Sequence, residues 1–200
     1  MTFKTLWRFQ VYAPPKRSGR RELVYDKEET GNSVVGNIIS FLYLKIFQQM
    51  ANPPYASGCS FYDITNTLVT LATNNNHTSE SDATGGQTDR GVVLGTGTDP
   101  VTVDDYKLQT LIAHGSGAGA LLYGVQTNVV PVVGGSPRFM QMVRAFSNGA
   151  AGSVVVSEAG FYLRLAANPY TVLIERSLVT PFNIPPLGSA TATSTLGVAI

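Results

Sequence analysis

Residues 91–106 read GVVLGTGTDPVTVDDY, an apolar run that enters a glycine-rich turn and continues into a helix-like start. A nucleotide-binding enzyme uses that layout to cradle phosphate. The dinucleotide fingerprint needs three glycines, the last allowing a helix to pack on a strand, and an acidic residue about 20 positions on within a βαβ unit. Here Gly95 and Gly97 are followed by Asp99 and Pro100, and the third glycine is missing. The downstream segment HGSGAGALLYG supplies neither a second parallel strand nor a ribose-binding acid. No Gly-Lys-Ser or Gly-Lys-Thr occurs, so the sequence also lacks a phosphate-binding P-loop. The stretch is expected instead to be a strand, 91–94, turning through 95–100 into a short helix. Thr102 and Asp105 stand at capping-box spacing, with Asp in place of the usual Glu, so Asp104 and Asp105 are first-turn acids that complement the helix dipole. Adjacent residues on a helix do not face one another, which argues against a catalytic carboxylate pair.

The other reactive side chains are few. His77 and His114 are the only histidines and Cys59 the only cysteine, without H-x-x-x-H or Cys-His spacing suited to zinc. His77 falls in a polar tract, and His114 precedes GSGAG at the expected end of a helix, where it would meet terminal carbonyls. A Cys59 nucleophile with a distant histidine has no supporting motif, and no G-x-S-x-G elbow occurs. Glu158, in VVVSEAGFYL, stands apart as an acid inside an otherwise apolar strand. A buried carboxylate needs a partner or a raised pKa. Arg144, Arg164 and Arg176 lie on or beside neighbouring expected strands, so Glu158 is expected to form a structural ion pair or to accept backbone N–H bonds. These residues yield no catalytic, cofactor-binding or metal site; the structural candidates are Glu158 and the cap pair Thr102 and Asp105.

The elements that hold these residues are mostly strands. Segments 3–12 and 22–26 flank a Pro- and Gly-containing turn and form an expected hairpin. The turn holds Lys16, Arg17, Arg20 and Arg21, a cluster expected to be solvated. Gly31, Asn32 and Ser33 supply a capping signal for a helix over 34–47, with Val34, Ile38, Phe41, Leu42 and Phe47 at helical spacing and Asn52, Pro53 and Pro54 as the stop. This segment is shorter than the ~18 to 20 uninterrupted apolar residues of a membrane span and contains Lys45, so it is expected to be buried in protein. The first residues, MTFKTLWRFQ, have no signal-peptide pattern. Segment 60–73 is rich in β-branched and aromatic residues, whereas 74–90, NNNHTSESDATGGQTDR, contains no large apolar residue and is expected to be an exposed loop. Strands are expected at 91–94, 121–130, 138–146, 153–163, 170–178 and 191–200. In the fourth of these, Val154, Val156, Glu158, Gly160 and Tyr162 share one face and Val155, Ser157, Ala159, Phe161 and Leu163 the other. Both faces are largely apolar, which places this strand centrally between two layers.

The expected architecture is therefore mainly β: one structural domain over 1–200, built as an antiparallel, jelly-roll-like β-sandwich. An N-terminal hairpin and one long buried helix occupy 1–58, and the sandwich, with its polar loop at 74–90 and a short helix, occupies 59–200. Charge narrows the partners. With 14 Lys and Arg against 13 Asp and Glu, nothing draws the chain to phosphate backbones or anionic membranes. Only 14% of residues are charged, against roughly 25% in typical soluble proteins, so the surface is largely neutral and polar.

The succession GVVLGTGTDPVTVDDYKLQTLIAHG, LLYG, RAFSNGAAGSVVVSEAGFYL and LIERS, followed by a closing threonine-rich strand, resembles a group of tailed-bacteriophage virion proteins. The resemblance covers 91–200, and GNSVVGNIISFLYL is similar to the helix that those proteins place upstream. It implies a non-enzymatic structural protein of the tail, head-tail connector or capsid surface, assembled in the host cytoplasm into the virion. It also implies a homo-oligomer whose partners are other copies of itself and other virion proteins, without cofactor, nucleic acid or membrane. Two other classes remain open. One is a subunit of an extracellular filament; the other is a carbohydrate-binding domain, with Tyr12, Tyr55, Tyr62, Tyr123 and Tyr170 as candidate stacking platforms.

Overall fold

The structure, a computed structural model, describes residues 2–31, 33–34, 37, 59–71, 79–129, 138–165 and 170–199. In chain order the strands are β1 (Thr2–Tyr12), β2 (Leu23–Thr30), β3 (Ser33–Val34), β4 (Cys59–Tyr62), β5 (Leu68–Leu71), β6 (Ser79–Glu80), β7 (Gly91–Gly95), β8 (Leu122–Val129), β9 (Arg138–Ser147), β10 (Val154–Leu165), β11 (Tyr170–Ile184) and β12 (Ser189–Ala199). One antiparallel sheet has the order β2-β1-β12-β9-β8. A second has the order β3-β11-β10, with β7 and β6 both pairing to the far edge of β10. The β4–β5 hairpin forms a small third sheet and docks on β11 where Ile64 N donates to Thr171 O.

Period-2 sequence patterns explain which faces are buried. In β1 the run WRFQV buries Trp7, Phe9 and Val11 while Arg8 stays exposed, because successive side chains of a strand point to opposite faces. Those three residues join Ala190 and Ala192 of β12, Met142 and Phe146 of β9, and Val156, Phe161, Val172 and Phe182 of the second sheet in one apolar cluster. At the edge of the first sheet, β2 carries Asp26, Lys27, Glu28 and Glu29, charges that discourage a further strand from pairing there. The β10 strand is central and buried on both faces, as its sequence implies. Its two faces do not alternate uninterrupted, however, because register shifts between Val156 and Glu158 and between Phe161 and Tyr162 re-aim the side chains.

Two helix expectations are corrected. The pair Ser33 and Val34, expected at the start of a long helix, instead forms β3 and pairs with Arg176 and Glu175 of β11. The remainder of 34–47 lies outside the described residues apart from Asn37, whose side-chain amide pairs with the Tyr62 backbone. Among the described residues no helix forms an element, so the architecture is sheets and loops. The cap pair Thr102 and Asp105 does meet, with Thr102 N donating to Asp105 Oδ2 at 2.9 Å and Thr102 Oγ1 to Asp105 Oδ1 at 3.0 Å, but the hydroxyl donates to the carboxylate instead of capping the Asp105 amide, which donates to Thr102 O. No helix follows, because the next amides turn elsewhere: Leu108 N donates to Tyr162 Oη, and Gln109 N and Thr110 N donate to Glu158.

The polar tract is corrected as well. Residues 74–78 lie outside the described residues, but 79–90 is built into the sandwich instead of projecting from it. Ser79 and Glu80 pair with β10, Ala83 O accepts from Gln126 N, and Ala83 and Arg90 are buried.

Candidate functional site

The glycine-rich segment after β7 closes around a carboxylate supplied by its own chain. Glu158 of β10 is 0% exposed. Its Oε1 accepts from Gly97 N at 3.0 Å and Thr110 N at 2.7 Å, and its Oε2 from Gln109 N at 3.1 Å and Arg176 Nε at 2.9 Å. Of the three arginines named as candidate partners, Arg176 of β11 is the one that pairs. It also donates to Asp105 Oδ2 at 2.8 Å through Nη1 and to Asp99 O at 3.0 Å through Nη2. The side chain of Gln109 supports the loop from within: its Oε1 accepts from Thr98 N and Asp99 N, and its Nε2 donates to Asp99.

The glycines are required by this closure. A Cβ on Gly95 or on Gly97 would stand 2.5 Å from Glu158 Oε1, closer than atoms can approach. The sequence thus has phosphate-loop glycines because a carboxylate and an incoming backbone need the same room.

Electrostatics favour the closed loop. Burial alone would raise the Asp105 carboxyl, but the Thr102 amide, the Arg176 guanidinium and the Thr102 hydroxyl together hold it below the usual aspartate value. Burial likewise opposes the charge on Arg176, and its bonds to Asp105 and Glu158 raise its pKa in spite of that. Tyr162, whose hydroxyl accepts from Leu108 N at 2.9 Å, is pushed up to about 12 by burial and remains a neutral phenol.

With four donors on its two oxygens, Glu158 has no lone pair left over for proton transfer or for a metal ion. The arrangement can hold a surface loop in one shape. Asp99, Thr102, Asp104, Tyr106 and Lys107 line an open groove of about 360 Å³ over Arg176, and Val103, between two of these residues in the chain, is 64% exposed. Asp104 is exposed, whereas Asp105 is half-buried against Arg176.

Other residues singled out in the sequence scatter. His114 is exposed, its Nδ1 accepting from Tyr123 N at 3.1 Å, in a loop and not at a helix end. Cys59 begins β4, and His77 and Tyr55 lie outside the described residues. Arg164 approaches Asp89 at 3.4 Å. Lys16, Arg17, Arg20 and Arg21 are exposed, and Lys16 pairs with Glu22 at 2.8 Å. Of the tyrosines, Tyr123 is buried with its hydroxyl donating to Leu94 O and Ile112 O, Tyr170 packs against the core, Tyr62 is 48% exposed, and Tyr12 lines a groove beside the basic turn.

Two buried charges were not anticipated in the roles they have. Arg144 of β9 is 0% exposed and donates to five backbone carbonyls: Thr84, Gln87, Arg90, Val92 and Gly124. Burial lowers its guanidinium to about 10, and the Tyr123 ring lies 4.9 Å beneath it. This caging helps fasten 84–92 to the first sheet, together with Gly86 N donating to Tyr123 O and Val92 N to Gln126 Oε1. Glu175 of β11, 4% exposed, accepts from Trp7 Nε1 at 2.7 Å and Ser177 Oγ at 3.2 Å. The signal that marks Glu158, an acid within an apolar strand, is present equally in TVLIERS.

Comparison with protein families, with curated proteins and with solved structures gives no match for this chain.

Proposed function

We propose that the chain is a non-enzymatic structural protein of a tailed-bacteriophage particle, a jelly-roll-like β-sandwich that works as a symmetric oligomer in the tail, the head-tail connector or the capsid surface. One observation carries this reading beyond the sequence resemblance. The two segments on which the resemblance rests, GTGTDPVTVDDYKL and SEAGFYL, interlock, since Gly97 N donates to Glu158, Leu108 N donates to Tyr162 Oη and Ser157 Oγ donates to Gly97 O, so that side chains of the second fix the backbone shape of an exposed loop formed by the first. A motif built for shape suits a protein whose work is contact. The largely neutral surface, with Val125 67%, Val103 64% and Leu68 56% exposed, adds to the support.

Sedimentation at micromolar concentration tests the reading. A defined oligomer that loses subunits when Val103 is changed to Lys is the expected result, and a clean monomer at raised concentration counts decisively against assembly.

A second reading, carbohydrate binding, is favoured by the groove of about 470 Å³ where Tyr12 stands with Lys16, Ser18, Arg20 and Arg21. An aromatic beside hydrogen-bonding cations is the composition of a saccharide subsite. Oligosaccharide titration that responds to Tyr12→Ala would favour this class over the first.

A further inference from the structure

Glu175 sits where three parts of the fold meet. It lies on β11 of the second sheet, with Phe161 of β10 and Val34 of β3 as its register partners on either side. Across the sandwich, β1 supplies Trp7 Nε1, which donates to Oε1 at 2.7 Å, and the Thr5 hydroxyl. From β12 the Ser194 hydroxyl approaches the carboxyl without forming a well-made bond of its own. The connection from β2 to β3 presses close too: Gly31 N donates to Thr5 O at 2.8 Å, and a Cβ on Gly31 would stand 2.6 Å from Glu175 Oε1.

Among the described residues, every polar group on this carboxyl is neutral. Thr5 and Trp7 come from β1, Ser194 from β12 and Ser177 from β11. The adjacent guanidinium, Arg176, is committed to Glu158 and Asp105. Among the described residues no lysine, arginine or histidine forms an ion pair with Glu175, whereas Glu158, three residues along the same strand pair, has both a cation and three amides. A carboxylate without a counter-charge is disfavoured in an apolar interior, and the protonated acid, which can donate as well as accept, is the form that suits neutral hydroxyl neighbours.

We propose that Glu175 is a protonation-controlled latch between the two sheets, holding β1 and the β2–β3 connection against β11 when neutral and loosening them when ionised. Its charge state would be decided by ambient pH in the range where the rest of the core is indifferent. Burial, opposed by the Trp7, Ser177 and Thr5 donors, moves the carboxyl up to about 7, which places the change of state near neutrality. This inference stands apart from the assembly reading and holds or fails whatever the protein assembles into.

Trp7 is the only tryptophan in the chain, so it reports on the latch directly. The experiment follows Trp7 fluorescence and the denaturant midpoint of the intact protein from about pH 4 to about pH 9, for the wild type, Glu175→Gln and Ser177→Ala. The wild type should show one single-proton transition near neutrality, with its folding equilibrium constant falling on the order of a hundredfold as pH rises from 4.5 to about 7. Glu175→Gln keeps an acceptor for Trp7 without a titrating proton and should abolish the transition. Ser177→Ala removes a donor to the charged form and should move the transition to higher pH, which keeps the test decisive if the Gln variant does not fold. A wild-type profile without a transition, or the same transition retained in Glu175→Gln or unmoved in Ser177→Ala, would overturn the proposal.

Discussion

At the scale of single residues, three buried charges solve the same problem in three ways. Glu158 takes a cation and three amides, Arg144 takes five carbonyls, and Glu175 takes neutral donors only. Bonds to an ionised group are stronger than neutral ones, so removing the charge from Glu158 has a definite cost. Glu158→Gln keeps the shape but its amide cannot accept at all four positions, and should lower stability by about 1.5 to 3 kcal/mol. Glu158→Ala should cost more, because Arg176 loses a partner and a small cavity opens beneath the 96–110 loop. Denaturant midpoints of both variants check this, and a midpoint above that of the wild type would mean that the carboxylate is held at an energetic disadvantage. Arg144→Met leaves five carbonyls short of a donor and should cost on the order of 3 kcal/mol, with faster hydrogen exchange across 84–92 as its local signature. Unchanged exchange there would show that the segment is held by something other than the cage.

At the scale of elements, strands were legible and helices were not, for a reason the site itself supplies. The alternation WRFQV and the β-branched run VVVSEAGFYL decide burial locally, since each side chain's face follows from its neighbours. The Thr102 to Asp105 signal is also local, and one of the two bonds it promises, Asp105 to the Thr102 amide, does form, but a helix needs the following amides as well. Those amides are taken by Glu158 and Tyr162, which lie 48 to 54 positions further along the chain. Tertiary partners at that separation outcompete a local propensity worth about 1 kcal/mol and leave no trace in the spacing. The same reasoning separates what was visible of the site from what was not. Glu158 stood out as an acid in an apolar strand, while the identity of its cation among three arginines depended on register. The tract 79–90 misleads because, apart from the buried Ala83 and Arg90, its contribution to packing is made by carbonyls, which every residue possesses. A prediction at this scale concerns the turn into the loop. Gly97→Ala would drive its Cβ to 2.5 Å from both Gln109 Cβ and Glu158 Oε1, so it should destabilise the protein by about 1 to 3 kcal/mol although the backbone there needs no positive φ. A neutral effect on the unfolding midpoint would mean that the loop can move away from β10 at no cost.

At the scale of the whole molecule, Glu175 between the sheets and Asp105 in the loop packed on β11 titrate with opposite effect, and their signs predict the shape of the stability profile. Glu175 has a folded-state value raised from 4.5 to about 7, so between those values the folded chain keeps a proton that the unfolded chain has released. Stability therefore falls as pH rises through this window and levels off above it. Asp105 has a folded-state value held below the ordinary 3.8 by Thr102 and Arg176, despite the burial that opposes it. Its contribution is present above the ordinary value and is lost as pH falls through the lower folded one. The two limbs enclose a maximum on the acid side of neutrality, at about pH 4 to 5, which is lower than for most domains. Denaturant midpoints taken from about pH 2 to about pH 9 should show this dome. Glu175→Gln should flatten the neutral limb while leaving the acid limb in place, and Asp105→Asn should do the reverse, because the two groups lie on different sides of β11 and share no partner. If stability instead climbs steadily to pH 8 in the wild type, the carboxyl of Glu175 is ionised at no cost in the folded protein, and a cation must reach it from outside the described residues.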